Sequence, residues 1–250
     1  MKVSIITVSY NAEQTLQDTI DSVRSQNYPD IEYIILDGDS NDSTLKIIQN
    51  NSDVVDKWVS EKDKGIYEAM NKGIQMATGE VIAFLNADDI YAYPTAVFDM
   101  VQLLKKKNVD SCYADLVYIR KKNSNNILRK WKSGHYQKGM FKNGWMPPHP
   151  TFFVKKDIYE KYGMFNLDLG TAADYEIMLR FLHKHKISVA YHPKTLIKMR
   201  AGGVSNKSII NRIKANKNDR KAWRINSLKP RFYTFLLKPL RKINQYLSID

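Results

Sequence analysis

Residues 86–89 read Asn-Ala-Asp-Asp and follow directly on the apolar run 81–85. A buried strand that ends on two adjacent carboxylates carries an electrostatic conflict. Each carboxylate raises the other's pKa unless positive charge lies between them. A bound cation resolves that conflict, which makes Asp88 and Asp89 candidate metal ligands. Three more polar clusters stand at comparable points. Tyr10-Asn11 follows the run 2–9, Asp37-Gly-Asp-Ser-Asn-Asp-Ser-Thr44 follows the run 32–36, and Glu61-Lys-Asp-Lys-Gly65 follows the run 54–60. One Asp-rich loop is ordinarily a turn with local side-chain hydrogen bonds. Four in succession, each after an apolar run, point to a shared site.

The elements that must position these clusters alternate in type. Residues 2–9, 32–36, 54–60 and 80–85 are strand-like. Between them, residues 12–26 place Leu16, Ile20 and Val23 at helical spacing. Residues 44–49 have Asp42 or Ser43 as an N-cap, and residues 66–77 repeat Ile66, Met70, Ile74 and Ala77. A helix over 95–106 and a strand over 111–119 follow. This alternation predicts an α/β fold with a parallel, doubly wound sheet. Ligands of such sheets bind beyond the carboxyl ends of the strands, which is where all four polar clusters fall. After residue 120 the pattern loosens. Short strands are expected over 127–132 and 151–154, a proline-bound loop at Trp145-Met-Pro-Pro-His-Pro-Thr151, and a helix over 174–183. Residues 209–225 are basic and amphipathic, and residues 228–247 are broken by Pro230 and Pro239.

Composition narrows the class. With 43% hydrophobic residues in 250, one sizeable core can be buried. The single cysteine, Cys112, excludes an internal disulfide and suits a reducing compartment. The first apolar run is too short for a signal segment, and no window approaches the roughly 20 apolar residues of a membrane span. A cytoplasmic protein is expected, peripheral at most on the inner face of the cytoplasmic membrane. The net charge of +13 is uneven: residues 1–119 carry 10 Lys/Arg against 19 Asp/Glu, and the remainder carries 29 against 7. The basic part calls for an anionic partner. The basic residues lie mostly outside the Asp-rich stretch and no nucleic-acid motif appears, so nucleic acid is not expected.

Several segments, taken in order, resemble the inverting nucleotide-sugar glycosyltransferases of family 2. They are VSIITVSYNAEQTLQDTIDSVRSQ, LDGDSNDST, EKDKGIYEAMNKGIQMATGEVIAFLNADD, HPTFFVKKDIYEKYGMFN, AADYEIMLR and AGGVS, spread over residues 2–205. The resemblance is strongest to the bacterial branch that builds O-antigen, capsule or exopolysaccharide. It implies a GT-A fold: a Rossmann-like, mostly parallel sheet flanked by helices over residues 1–205. Residues 1–119 would form the nucleotide-sugar half and 120–205 the acceptor half, with 206–250 a basic, helical C-terminal extension. It also implies transfer of a sugar from a nucleotide-sugar donor, a UDP-sugar first, to a saccharide acceptor linked to polyprenyl diphosphate.

The resemblance assigns residues as well. The family's D-x-D motif falls on Asn86-Ala87-Asp88, followed by Asp89, so that an asparagine replaces the first aspartate. Mg²⁺ or Mn²⁺ suits such hard oxygen ligands, and by bridging both phosphates it would stabilise the departing nucleoside diphosphate. Which of Asp88 and Asp89 binds metal and which ribose stays open. Thr7, Tyr10, Asn11 and Asp37 carry over as nucleotide contacts. Asp39 joins them, although a small residue is commoner there. Asp63, Lys64, Gly65, Asn71 and Lys72 extend the donor wall. Asp174 is the base that deprotonates the acceptor hydroxyl; by spacing alone it is a first-turn helix carboxylate. His149 and Trp145 are placed near acceptor or metal. Arg200, with Gly202-Gly203, is either a mobile loop over the diphosphate or part of a solvated basic strand.

In residues 209–250, Lys229, Arg231, Lys238, Arg241 and Lys242 interleave with Phe232, Tyr233, Phe235, Leu236 and Leu240. That pattern suits an anionic membrane surface; the bland alternative is a helical pair packed on the sheet. A competing class is a basic nucleic-acid- or membrane-binding protein on a degenerate, inactive glycosyltransferase fold, prompted by the charge and by Asn86.

Overall fold

The computed structural model describes residues 1–120, 123–202, 209–243 and 245. The N-terminal half alternates as its periodicity predicts: β1 (Val3–Ser9), α1 (Leu16–Arg24), β2 (Ile31–Asp37), α2 (Thr44–Asn50), β3 (Lys57–Ser60), α3 (Ile66–Met76) and β4 (Val81–Phe84). Then come β5 (Asp89–Tyr91), α4 (Ala96–Lys107), β6 (Ser111–Arg120), β7 (Asn123–Trp131), β8 (Phe153–Lys155) and α5 (Lys156–Tyr162). The chain ends on α6 (Ala173–Met178), β9 (Val189–Arg200), α7 (Ile209–Ile225) and α8 (Thr234–Ile243).

The described residues form one nine-stranded sheet in the order β3-β2-β1-β4-β8-β6-β9-β5, with β7 also paired to β6. The first four strands are parallel and in register. Every residue of β1 is buried, as a strand covered on both faces requires. Val3, Ile5, Tyr33 and Ile35 face α1 and α4, while Ile6, Val8, Ile34 and Leu36 face α3 and α6. The second half is mixed: β8 runs antiparallel to β4 and β6, β9 parallel to β6, and β5 antiparallel to β9. This switch in direction follows β4, so the Asn86–Asp89 turn lies where the parallel half meets the mixed half.

Three elements escape the periodicity reading: β5, α5 and β9. β5 has three residues, too few to show alternation. β9 has twelve, but Pro193 and a mixed polar pattern mask it; β6 and β5 on either side hold it in the sheet. Pro239 does not break the last helix but sits inside α8. An internal proline costs about 3 kcal/mol in a helix, and docking offsets it here. Phe235 is buried, Arg241 Nε donates to the Asn143 carbonyl at 2.8 Å, and Lys238 Nζ pairs with Asp219 at 2.7 Å.

The segment read as an extension is therefore packed against residues 140–176. Trp223 on α7 is fully buried, and its Nε1 donates to the Tyr175 hydroxyl at 2.9 Å. Asn226 Nδ2 donates to Glu176 at 2.8 Å, and Thr234 Oγ1 to the Lys142 carbonyl at 2.6 Å. Packing is tightest at Gly144, where φ is +73° and an added Cβ would lie 2.8 Å from Lys238 Cα. The expected boundary at 205/206 and Gly203 lie outside the described residues.

Candidate active site

The ends of β1, β2 and β3 are tied together by Asp37, which is almost fully buried. Its carboxylate accepts from Ser9 Oγ (3.1 Å), Ser40 Oγ (2.6 Å), Ser40 N (3.0 Å) and Ser60 Oγ (2.8 Å). A buried charge is tolerable when its lone pairs are filled in this way. Asn11 and Asp39 both take left-handed backbone conformations (φ 48° and 64°), which Asn and Asp tolerate better than other side chains. Asn11 N donates to Ser40 Oγ, and Asn41 N donates to Asn11 Oδ1. The two loops thus fix each other, leaving Tyr10 65% exposed at the rim.

Between the end of β3 and α3 lies a cavity of about 450 Å³ lined by Asp37, Val59, Glu61, Asp63, Lys64 and Lys72 among others. That is within the range of small-ligand sites. Asp63 Oδ1 accepts from Gly65 N at 2.8 Å, and Gly65 (φ +124°) turns the chain into α3. Lys72 pairs with Glu61 at 2.5 Å. Of the expected donor residues, Asp37, Asp63, Lys64 and Lys72 thus meet in one cleft.

The Asn86–Asp89 turn closes over the next strand end. Asp89 N donates to the Asn86 carbonyl at 3.0 Å, and Asn86 Nδ2 donates to Asp89 Oδ2 at 3.0 Å. Asp88 is partly exposed and Asp89 fully buried. Burial, with the Asp88 charge second, pushes the Asp89 carboxyl well above the usual carboxylate range; Asn86 and Arg200 pull it back. Asp89 Oδ1 and Asn86 Oδ1 are buried with no hydrogen-bond partner among the described residues. Orphaned oxygen acceptors beside a second carboxylate fit a hard divalent cation. Among the described residues no three His, Cys, Asp or Glu side chains group at ligand spacing, so phosphate oxygens and water would complete the coordination of such an ion.

Asp174 stands in the first turn of α6, where its Oδ1 accepts from Tyr175 N at 2.6 Å. Burial raises its carboxyl above the usual range, while the Lys238 ammonium, the Tyr175 N–H and the Lys242 ammonium restrain the rise. Rings connect it to the end of β4. The Asp174 charge acts on the half-buried Tyr67 phenol. Tyr67 packs on Phe165 (5.3 Å between centroids), and Phe165 packs on both Phe84 and His149 (5.5 Å each). Phe84 is the last residue of β4, two positions before Asn86.

Five more of the expected site residues are held by the fold as follows. Thr7 is fully buried beneath the site; its hydroxyl donates to the Leu85 carbonyl at 2.7 Å and lies 3.0 Å from the Tyr33 hydroxyl. Asn71 straps α3 to the segment before α6, exchanging two 2.9 Å hydrogen bonds with the Phe165 backbone. His149 is buried against Phe84, and burial drops its imidazole to about 4, which keeps it neutral at pH 7. Trp145 is buried, its Nε1 donating to the Ser133 carbonyl at 2.9 Å. Arg200 is in the strand that was the alternative to a loop, and Gly203, the other end of that loop, lies outside the described residues. Arg200 ends β9 buried under the Asn86–Asp89 turn, paired with Asp18 and donating to the Asp88 carbonyl at 3.1 Å.

The sequence reading missed Asp18, Tyr67 and the two lysines that act on Asp174. Tyr67 follows the Glu61–Gly65 cluster in an otherwise ordinary helix. Lys238 and Lys242 come from a segment whose charge pattern reads as a surface.

Comparison with solved structures places this architecture among GT-A glycosyltransferases. Residues 1–349 of *S. aureus* TarS in complex with UDP-GlcNAc superpose with a TM-score of 0.70 at 15% identity, over 100% of this chain and 74% of that one. The mannosyltransferase PcManGT from Pyrobaculum calidifontis, in complex with GDP-Man and Mn²⁺, gives 0.65 at 18% identity, over 99% and 70%. The chain spans 44% of the longer TarS chain. In sequence, the profile of glycosyl transferase family 2 matches residues 4–163. An uncharacterised glycosyltransferase of Mycobacterium tuberculosis (strain H37Rv) is 33% identical over 186 residues, 71% of this chain and 68% of its own. *Escherichia coli* WfgD, a UDP-Glc:alpha-D-GlcNAc-diphosphoundecaprenol beta-1,3-glucosyltransferase, is 34% identical over 130 residues, 52% and 50%. The chain belongs to glycosyl transferase family 2.

Proposed function

We propose that the protein is a metal-dependent inverting glycosyltransferase that moves a sugar from a UDP-sugar to a lipid-linked saccharide during bacterial surface-polysaccharide synthesis. The observation that carries this reading is the pairing of two features. A raised-pKa carboxylate, Asp174, is connected through three packed rings to the end of β4, and the orphaned oxygens of Asn86 and Asp89 lie just beyond it. The first is suited to accept a proton, the second to hold a cation.

The donor nucleoside enters the cleft of Asp37, Asp63, Lys64 and Lys72, with Tyr10 at its rim. Asp88 and Asp89, with Asn86, hold Mg²⁺ or Mn²⁺, which supplies charge stabilisation for the leaving diphosphate. Arg200 and Asp18 brace this turn from below. Neutral His149 and Phe165 form an apolar wall that keeps water from the space before Asp174. Asp174 accepts the proton of the acceptor hydroxyl as that oxygen attacks the anomeric carbon, giving inversion. The names of WfgD and of the UDP-GlcNAc complex of TarS support the donor class, and WfgD's name supports a lipid diphosphate acceptor.

Membrane contact falls to α8, whose Phe232 flank, Leu236 and Leu240 are 89%, 64% and 54% exposed beside Lys229 and Arg231. Among the described residues no helix is long and apolar enough to cross a membrane.

The test is nucleotide release from a panel of UDP- and GDP-sugars with Mn²⁺, Mg²⁺ or EDTA. Turnover should require a divalent cation and fall at least a hundredfold in Asp89→Asn, the scale of losing a charged transition-state contact. Undiminished turnover of Asp89→Asn in EDTA would overturn the metal assignment.

A further inference from the structure

Helix α3 presents two sides to two different parts of the site. Glu68, Ala69 and Lys72 line the cleft assigned above to the donor. Tyr67 and Asn71, four residues apart and so on one side of the helix, meet residues 165–174 instead. The helix is fixed in place. At its start Gly65 N donates to Asp63 Oδ1 at 2.8 Å, and Lys64 N to Glu68 Oε2 at 2.6 Å. At Gly73 it lies hard on the sheet: an added Cβ would stand 2.5 Å from Ile6 Cγ2 and 3.0 Å from Leu36 Cδ2. The facing segment is fixed too. Asn71 clips the Phe165 backbone, and Arg180 donates to the Gly163 and Met164 carbonyls at 2.8 and 2.6 Å. Arg180 Nε also pairs at 2.8 Å with Glu176, two residues beyond Asp174 in α6. Helix α3, the 163–165 turn and α6 thus form a closed frame, and Tyr67 faces Asp174 across it. Burial first, then the Asp174 charge, push the Tyr67 phenol well above its ordinary range, and the phenol is within hydrogen-bonding reach of the Asp174 carboxylate and backbone.

Resting on the function proposed above, we infer that Tyr67 is a positioning residue: its phenol donates to the Asp174 carboxylate and sets the base in register with the donor. The terminal torsion of an aspartate is broad and roughly two-fold, so packing alone does not fix the carboxylate's rotation. One oxygen, Oδ1, is held by the Tyr175 N–H at 2.6 Å. A second donor, from a different element, fixes the plane of the group. That plane decides whether a lone pair points at the acceptor hydroxyl. Because the second donor comes from the helix that walls the cleft, the base is placed relative to the donor sugar and not only to its own helix. Geometry of this kind matters: a misplacement of about 1 Å can cost a hundredfold in rate. Lys238 and Lys242 from α8 attract the same carboxylate, and Asp219 from α7 repels it. An ammonium on a flexible stem supplies charge with little direction. A phenol whose ring packs on Phe165, 5.3 Å between centroids, supplies direction.

Two measurements on the full chain test this. The first uses no substrate. Urea unfolding at pH 8 of Tyr67→Phe, Asp174→Ala and the double variant closes a cycle that isolates the contact. The two changes should be non-additive by about tenfold in the unfolding constant, the scale of one hydrogen bond to a charged group. Additive changes overturn the contact, whether or not the enzyme transfers sugar. The second is transfer. Tyr67→Phe keeps the ring and should keep donor affinity by calorimetry, yet lower kcat about tenfold. It should also move the acidic limb of kcat/KM up by about one pH unit, because a carboxylate that loses a donor is protonated more readily. A tyrosine that only packs would behave otherwise: Tyr67→Leu would be impaired, and Tyr67→Phe would restore wild-type kcat with the limb unmoved. That result overturns the positioning role. Undiminished transfer by Asp174→Asn would remove the base assignment and the positioning role with it, while the unfolding cycle still reports on the contact.

Discussion

Replacing Asp174 by Asn separates catalysis from architecture. The amide oxygen can keep the 2.6 Å hydrogen bond from Tyr175 N, so the first turn of α6 should stay intact. Removal of the charge forfeits attraction to Lys238 and Lys242 but also removes the desolvation cost that raises the carboxyl's pKa. The sign follows from linkage. A carboxyl whose folded pKa exceeds its unfolded value, about 3.9, makes the folded state the better proton binder. Its ionisation therefore lowers stability as pH rises from about 4 through the raised value, and that loss persists at pH 7. Asp174→Asn lacks this loss, so its thermal midpoint at pH 7–8 should equal or exceed wild type, with the difference shrinking towards pH 4. Transfer should fall by roughly 10²–10⁴-fold, the usual worth of a general base, or about 3–5 kcal/mol of barrier. In wild type, kcat/KM should drop with a one-proton slope below the raised pKa, and in the variant that limb should vanish. The assay is nucleotide-coupled transfer at pH 5–8, with donor affinity by calorimetry and melting by circular dichroism. A well-folded Asp174→Asn enzyme within tenfold of wild type would refute the base assignment and leave Asp174 as a first-turn carboxylate.

Glu32 should make an acid-sensitive contribution to stability. Burial opposes its charge, but Lys57 at 2.8 Å, Ser4 and Thr78 hold its carboxyl down at about 2. That contribution is complete above about pH 4.3 and lost as pH falls towards 2, so Glu32→Gln should cost about 2 kcal/mol at pH 7 and little at pH 2, read by urea unfolding. Gly144→Ala should push α8 outward, because its Cβ would strike the Lys238 backbone at a positive φ. A loss of about 1–3 kcal/mol is expected, with weaker Tyr175 burial by fluorescence; an unchanged melt would show that α8 is not seated there. Phe232→Ser, Leu236→Ser and Leu240→Ser together should abolish co-sedimentation with anionic vesicles at low salt while leaving the fold intact, since these side chains are exposed. Retained binding would remove α8 from the membrane.

What the sequence discloses here is what repeats or is charged in order. Four polar clusters after four apolar runs were enough to expect them at one edge, because in a parallel sheet the carboxyl ends coincide by topology. Asp37, Asp63 and the Asn86–Asp89 turn were legible as strand-end residues for that reason. Function by contact across the fold was not. Thr7 and Asn71 read as ligand contacts because their neighbours in sequence face the cleft, yet Thr7 points under Leu85 and Asn71 clips Phe165. Arg200 read as either loop or solvated strand because nothing local marks its partner, Asp18, which lies 182 residues away. β9 stayed hidden since pairing on both sides, not local propensity, holds it in the sheet. The basic C-terminal segment read as a membrane surface, and only the fold shows that one side of α8 turns Lys238 inward while another leaves Leu236 and Leu240 outside.

The dependence of α6 on Trp223 and Lys238 gives the enzyme an order of completion during synthesis. Chains fold from the N-terminus as they emerge, and the proposed donor cleft uses residues up to Lys72, while the Asn86–Asp89 turn gains its Arg200 brace only later. The hydroxyl of Tyr175, next in chain to the base, meets its Trp223 partner about fifty residues later in translation, and the ammonium groups that restrain Asp174 come from residues 238 and 242. On the proposed assignments, a nascent chain therefore acquires its nucleotide cleft well before its base is tuned. Unfinished chains would hold donor without spending it on water. Stalled nascent chains of increasing length should show nucleotide binding first, and sugar transfer only once α8 has cleared the ribosome.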